Sequence, residues 1–470
     1  MYTFCISLLL LILGYFVYGA FVEKVFGVDP NRKTPCYTKN DGVDFLPLPG
    51  WKVFLIQFLN IAGTGPIFGA VMGILFGPAA YLWIVFGCIF AGATHDYLSG
   101  MISLRKDGAS LPEIIGDELG PVVRNGMRIF TLVLLVLVGA VFVTTPAGLL
   151  SGMTTSMSDV MTPMFWILAI LFYYILATLL PIDAIIGRLY PLFGIALLVM
   201  VVGIGIGVFT HDGWMPEITD GLTGHHPKGL AVFPMLCITI ACGAISGFHA
   251  TQSPMMARCM RNERNGRKIF YLSMVTEGAV ALIWAAAASK FAGSYEALAQ
   301  TGNPAVIVNE VCNSWLGPFG AILAILGVVA APITSGDTAF RSARLILSDI
   351  LHFRQDKFWK RLAISLPLFA IAIILMNIDF DILWRYFAWF NQTLGCITLW
   401  AISVWLLRQS KCYWIAFLPA LFMTMVCSSY ILLAPEGFSL SYPIGIAGGL
   451  LLTALLGAWF IFKILKKREK

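Results

Sequence analysis

Thirteen stretches of the chain stay apolar for about twenty residues at a time, the length that crosses a hydrocarbon core. They cover 3–21, 53–75, 79–102, 128–147, 163–181, 184–209, 230–254, 269–289, 318–340, 362–378, 383–407, 412–434 and 443–464, and are numbered spans 1 to 13 below. The pattern predicts an all-α integral membrane protein with about 13 transmembrane helices. Span 1 has no basic residue before it and no small-residue cleavage site, so a retained span is expected rather than a signal peptide.

Three spans are interrupted by polar, Gly- and Pro-rich stretches. Span 2 contains Gly63-Thr64-Gly65-Pro66. Span 7 contains GAISGFHATQSP, with Gly243, Gly247, Ser253 and Pro254. Span 9 contains AAPITSGDTAF, with Pro332, Gly336 and Asp337. Proline removes an intrahelical hydrogen bond and glycine costs about 1 kcal/mol relative to alanine. Unwound backbone at membrane depth persists only where protein buries it or a wet cavity faces it. Spans 2 and 7 lie five apart, so they run in opposite directions. That is what two five-helix repeats of inverted topology require, and corresponding breaks in two halves point to a transporter site. The domain reading follows. Residues 1–50 are an extra span and a cytoplasmic loop, 51–209 the first repeat (spans 2–6), 230–408 the second (spans 7–11), and 409–470 two further spans with a basic tail.

Charge orients this arrangement. With the N-terminus outside, 28 of the 31 lysines and arginines fall on the inner side, leaving Lys228, Lys290 and Arg385 outside. The chain is 59% hydrophobic and only 12% charged, against roughly 25% charged in soluble domains. The net charge of +6 comes from basic loops and does not suggest nucleic acid. The ten cysteines form no CxxC pair and no Cys/His cluster with metal spacing, so neither a disulfide nor a metal is expected. No GxxxxGK[ST] loop is present, which argues against ATP-driven pumping.

The loops add two expectations. Ser110 and Glu113 form a capping-box pattern over a short inner helix. Pro304 can start an outer helix on which Val308, Val311 and Trp315 share a face, as a lid would.

Breaking span 2 yields two half-helices. The outer one offers free N–H groups near 65–68, suited to a carboxylate, and the inner one free carbonyls near 61–63, suited to a cation. The candidate substrate residues are Asn60, Gly63, Thr64, Gly65, Gly243, Ser246, His249 and Gln252, with Gln57 as a flanking candidate. Charged groups inside a membrane are functional by default. Glu277, near the middle of span 8, is a candidate proton carrier. A cation or proton site is expected from the Ala62 and Gly63 carbonyls with Thr334, Ser335, Asp337 and Thr338, because a hard cation takes carbonyl, hydroxyl and carboxylate oxygens. The alternative for Asp337 is an ion pair with Arg341. His95 and Asp96 are candidates for a gate or relay. Side chains of helical neighbours point about 100° apart, so these two are not expected to pair. His211, His225 and His226 read as solvated loop residues.

The segments NDGVDFLP (40–47), IAGTGPIFG (61–69), AGATHD (91–96), RKDGASLPEI, ACGAISGFHATQSP (241–254) and PITSGDTAFRSARLI (332–346) together resemble the carbon starvation protein A family. The resemblance runs from about residue 30 to residue 350. It implies a bacterial inner-membrane transporter that imports peptides or, in some members, pyruvate with protons. It also implies the five-plus-five inverted repeat of the amino acid–polyamine–organocation superfamily. Two departures stand out. Longer members continue with further helices, making this a short form, and they carry a His-His pair where this chain has Ile56 and Gln57. The expectation is therefore a secondary active transporter of small peptides, with pyruvate:H⁺ symport as the alternative. Coupling is to H⁺ or Na⁺, with no cofactor beyond a bound Na⁺. An enzyme, a sensor and a channel are the other classes weighed. No nucleophile–base pair at membrane depth and no soluble output domain supports the first two.

Overall fold

The structure, a computed structural model, describes residues 1–154, 158–179, 186–301, 304–355, 357–378 and 380–465. The expected loop between spans 5 and 6 and the basic tail at 466–470 lie outside the described residues. Within the described residues the apolar runs fall on helices or helix pairs. Among the described residues nine helices are long and apolar enough to cross a membrane, and the bent pair Gly50–Ile61 and Gly65–Phe76 makes a tenth. The described part of span 5, Pro163–Ala177, is shorter. Span 7 is interrupted, and span 9 carries Thr334, Ser335, Asp337, Arg341 and Arg344.

Span 2 breaks where the sequence predicts. Its two halves, 2a (Gly50–Ile61) and 2b (Gly65–Gly73), meet at 46°. Span 7 breaks earlier than expected. Its halves are 7a (Val232–Thr239) and 7b (Gly247–Ala257), joined by a linker over 240–246. His249, Gln252, Ser253 and Pro254 therefore lie on a regular helix and not in the unwound segment. Pro254 is accommodated inside the regular helix 7b, and the break falls instead where Gly243 turns at φ +91°. Span 9 is not broken at Pro332 to Asp337. A helix from Pro304 to Ala324, kinked at Gly317, leads through a π turn (Ile325–Val329) into an unbroken helix Ala330–Leu351. The expected lid helix does start at Pro304. Val308 and Val311 are buried, and Trp315 stacks on His211 with centroids 4.8 Å apart.

The two broken spans run antiparallel. Half 2a packs against 7b, and 2b against 7a. Leu48, entering 2a, donates its N–H to the Cys259 carbonyl just beyond 7b at 3.1 Å. Span 3 (Ala79–Arg105) and span 8 (Arg267–Tyr271 continuing as Leu272–Ala292) press on the span 7 linker, and each contains a π turn. At Gly92, in the π turn of span 3, a Cβ would collide with the Ala244 carbonyl of the linker. The unwound backbone takes its partners from neighbours. Trp83 Nε1 of span 3 donates to the Ile240 carbonyl at 3.0 Å. Asn391 Oδ1, on the span 11 helix Phe380–Arg408, accepts from Phe248 N at 2.7 Å and from Ser246 Oγ at 3.0 Å.

Residues assigned by charge to one side also meet in space. Arg105 bonds Glu263, Lys106 bonds Asp117 and Glu118, Arg408 bonds Glu118, and Arg341 bonds Asp44 at 3.2 Å. At the other end the N-terminal amine pairs with Glu217. A short helix (Leu111–Leu119) follows Ser110, but Ser110 makes no side-chain cap. Glu113 turns instead to Arg128 at 2.5 Å and Arg124 at 3.4 Å, because two guanidiniums attract a carboxylate more than one backbone N–H does.

Asp44 closes this charged end. Burial alone would raise its carboxyl, but the guanidiniums of Arg341, Arg344 and Arg258 outweigh it and hold the carboxyl below its ordinary 3.8. A depressed carboxyl stabilises the fold above its unfolded value, and that contribution is lost as pH falls through the folded one. We expect the Asp44 contribution to thermal stability to be flat from about pH 5 to 8 and to decline progressively as pH falls below about 4. Asp44→Asn should cost about 3 kcal/mol at neutral pH, the low end for breaking a buried pair. The loss should shrink on acidification, as read by melting in detergent across a pH series. A second expectation concerns the cap on 7b. A Cβ at Gly247 would collide with the Asn391 carbonyl and the Gly395 N. Gly247→Ala should therefore lower stability by about 1–3 kcal/mol. Gly148→Ala, with open space at that point, should be neutral or raise stability by up to about 1 kcal/mol.

Candidate functional site

The two breaks face each other. At Gly65, the head of 2b, a Cβ would lie 2.5 Å from Cys242 Sγ of the span 7 linker. Only a residue without a side chain lets these backbones approach so closely. Around this junction polar groups are buried without protein partners. Both amide atoms of Gln57, both of Asn60, Thr64 Oγ1 and Gln252 Oε1 have none, although all four residues are fully buried. A buried amide or hydroxyl left unpaired costs about 1–3 kcal/mol, so such a group signals strain or a missing ligand. The aromatic side of the junction is Phe142, packed edge-on against Phe248 and Phe387 with centroids 6.2 and 5.9 Å away.

The expected substrate residues have different fates. Gly63, Thr64 and Gly65 form the span 2 break, and Asn60 lies one turn before it. Ser246 is held by Asn391. Gly243 is a backbone turn on which span 8 rests, since a Cβ there would lie 2.7 Å from the Ala281 Cβ.

His95 and Asp96 do pair, contrary to expectation. His95 Nδ1 lies 2.8 Å from one Asp96 oxygen, and His249 Nδ1 lies 2.9 Å from the other. Two flexible side chains can fold back toward one another across 100°, and burial removes the water that would otherwise separate them. Beyond His249, its Nε2 faces Glu277 Oε2 at 3.4 Å. His95, Asp96, His249 and Glu277 thus form a continuous buried file across spans 3, 7 and 8. Glu277 has no hydrogen-bond partner on either oxygen.

The expected ion site divides in two. Ser335 Oγ donates to the Leu59 carbonyl at 3.2 Å and sits against Gly63, at the carbonyl end of 2a. Asp337 points about 160° away on the same helix. Its Oδ2 accepts from Tyr190 Oη at 2.5 Å and lies 3.4 Å from Tyr173 Oη, and its Oδ1 has no partner. Thr334 and Thr338 return their hydroxyl protons to carbonyls of their own helix. Ala62 closes 2a by donating to Phe58 O at 2.8 Å. The Asp337–Arg341 pair is not what holds Asp337; Arg341 serves Asp44 and the Ala177 carbonyl.

Sequence reasoning missed Cys242, Asn391, Tyr190, Tyr173 and Trp83. The Asn391-Gln392 pair inside an apolar run is a visible signal. The tyrosines give none, because an amphipathic aromatic in a span is ordinary. An open cavity of about 630 Å³ lies at the charged end beside Lys39, Arg258 and His352, and none of the break residues line it.

The fold is that of known membrane transporters. It matches the crystal structure of MhsT in complex with L-phenylalanine with a TM-score of 0.58 at 14% identity, over 86% of this chain and 97% of that one. It matches the Eremococcus coleocola manganese transporter with a TM-score of 0.56 at 12% identity, over 91% and 99%. In sequence, the chain is 46% identical over 330 residues to an uncharacterized membrane protein of Haemophilus influenzae, covering 60% of this chain and 88% of that one. It is 30% identical over 340 residues to the pyruvate/proton symporter BtsT of Escherichia coli, covering 59% and 47%. It is 30% identical over 370 residues to the peptide transporter CstA of Campylobacter jejuni, covering 64% and 52%. The match thus spans about half the length of these two transporters. The model of the carbon starvation protein CstA family matches residues 1–168 and 151–321, and the chain belongs to that family.

Proposed function

We propose that this protein is a secondary active transporter that imports a small carboxylate-bearing nutrient by alternating access at the junction of spans 2 and 7. The observation that carries the reading is the set of buried, unpartnered polar atoms on Gln57, Asn60, Thr64 and Gln252 beside two facing helix breaks. The substrate carboxylate would sit at the head of 2b, where first-turn N–H groups and Thr64 Oγ1 are available and the helix dipole is positive. The amides of Gln57 and Asn60 would take the polar remainder, and Phe142 and Phe248 would close over its apolar part. Small peptides are the favoured substrate, as in the relatives named peptide transporters. Pyruvate is the second reading, favoured by the relative named a pyruvate/proton symporter.

Coupling in this reading is a proton on Asp337. The groups facing it are Tyr173 and Tyr174 of span 5, Tyr190 of span 6 and Arg341 one turn along its own helix. Loading the carboxyl changes how it binds the Tyr190 hydroxyl, and so whether spans 6 and 9 stay together. The other coupling candidate is Na⁺ at Ser335 and the Ala62 carbonyl. One charge moving through 100 mV supplies about 2.3 kcal/mol, enough for roughly fifty-fold accumulation. Charge distribution supports a cytoplasmic-membrane orientation with the N-terminus outside and the C-terminus inside.

Proteoliposome counterflow with labelled dipeptide and labelled pyruvate tests the substrate; if neither exchanges, the reading fails. Asn60→Leu should raise KM at least about tenfold, the loss of one or two buried hydrogen bonds. Asp337→Asn should abolish accumulation driven by a pH gradient while sparing counterflow. Retained pH-driven accumulation in that variant, with loss in Ser335→Ala under a sodium gradient, would move coupling to the hydroxyl site.

A further inference from the structure

Three metal-binding side-chain types of separate chain origin converge in the membrane interior. Cys242 comes from the span 7 linker, His249 from the first turn of 7b and Glu277 from span 8. One ligand atom from each lies within 4.8 Å of the others, and all three residues are fully buried. The 3.4 Å between His249 Nε2 and Glu277 Oε2 is close to the edge of a tetrahedron with metal bonds of about 2.0–2.2 Å. Neither His249 Nε2 nor either Glu277 oxygen has a hydrogen-bond partner, so all three are available on the inward side.

The outer contacts orient the donors. Asp96 takes His249 Nδ1 at 2.9 Å and is itself held by His95 at 2.8 Å. A carboxylate on one imidazole nitrogen fixes the ring and turns the other nitrogen toward an ion, as in carboxylate–histidine–metal arrangements. Asn391 Nδ2 donates to Cys242 Sγ at 3.7 Å, and the thiol faces Ser246 Oγ at 3.7 Å. These are outer groups on two of the three donors, from spans 3 and 11.

The geometry points to a site for a thiophilic divalent cation of the zinc class, bound by Cys242 Sγ, His249 Nε2 and the Glu277 carboxylate with its fourth position open. Sulfur together with imidazole and carboxylate selects this class over sodium, magnesium or calcium, which take oxygen donors. Binding replaces two protons, the one on the Cys242 thiol and the one held between His249 Nε2 and Glu277, and releases both to solvent; no electron moves. Cys242 packs on Gly65, so the ion would join the span 7 linker and span 8 beside the head of 2b. The site stands apart from the transport reading, since binding is measured without substrate.

The test uses the full chain, purified in detergent, stripped with a chelator and titrated with Co²⁺ as a spectroscopic stand-in for Zn²⁺. The expected result is one ion per chain with a thiolate-to-cobalt charge-transfer band and the visible bands of tetrahedral cobalt, displaced by Zn²⁺. Cys242→Ser should remove the charge-transfer band, and Cys396→Ser, at a distant cysteine, should keep it. Asp96→Asn should weaken metal affinity by about 10–100-fold, the usual cost of losing an outer partner. Glu277→Gln should weaken it at least tenfold. Size-exclusion profiles and melting curves identify variants that fail to fold. If Cys242→Ser is one of them, the wild-type spectrum and the Glu277→Gln affinity decide. Absence of tetrahedral cobalt bands in the wild type overturns the proposal and leaves the file as a hydrogen-bonded proton or structural network. Metal binding unchanged in folded Cys242→Ser and Glu277→Gln overturns it as well.

Discussion

A peptide group without a hydrogen bond costs several kcal/mol in hydrocarbon, and this fold is arranged around that cost. Two helices come apart in the middle of the protein, and each exposes backbone that the membrane cannot solvate. The breaks are placed against one another and then enclosed. Trp83 closes the end of 7a, Asn391 closes the start of 7b, and Ser335 answers the last carbonyls of 2a. Spans 3, 9 and 11 therefore hold the site because they finish hydrogen bonds that spans 2 and 7 leave open.

The same constraint explains the positions that tolerate no side chain. Gly65 lies on Cys242, Gly92 on the Ala244 carbonyl and Gly247 on the Asn391 carbonyl. At each, backbone or a short side chain from another span must come close enough to complete a contact. The π turns of spans 3 and 8 belong to this group as well. They adjust the direction of helices that press on the span 7 linker, and Tyr271 of one turn donates to the Ile89 carbonyl of the other at 3.0 Å.

Several buried polar groups stay open at the junction itself. Gln57, Asn60 and Thr64 have no side-chain hydrogen-bond partner, Gln252 has none on Oε1, Glu277 accepts no hydrogen bond on either oxygen, and Asp337 lacks a partner on a single oxygen. At the charged end, Asp44 pairs with Arg341, Glu263 with Arg105, and Glu118 with Arg408 and Lys106. Polar atoms left open beside two facing helix breaks make a centre suited to a bound solute or ion. Alternating access needs such a centre, because groups already paired within the protein gain nothing from a ligand.

The sequence by itself determined the apolar runs, the break in span 2 and the charge asymmetry between the two ends. Each of these is a local property: twenty apolar residues, a Gly-Pro interruption, a cluster of arginines. It also carried the family, since the quoted segments are contiguous. The sequence did not locate the span 7 break within its motif, because Pro254, kept inside a regular helix, and Gly243, turning at positive φ, both read as helix breakers. It placed a break in span 9 where Tyr174 and the span 4 helix support a continuous one. It kept His95 apart from Asp96, and it scattered Cys242, His249 and Glu277 over three elements with no spacing to connect them. Only the antiparallel packing of 2a on 7b and 2b on 7a, with span 8 across both, brings those donors to one point. Side-chain convergence from distant segments is a property of packing, and no local period in the chain encodes it.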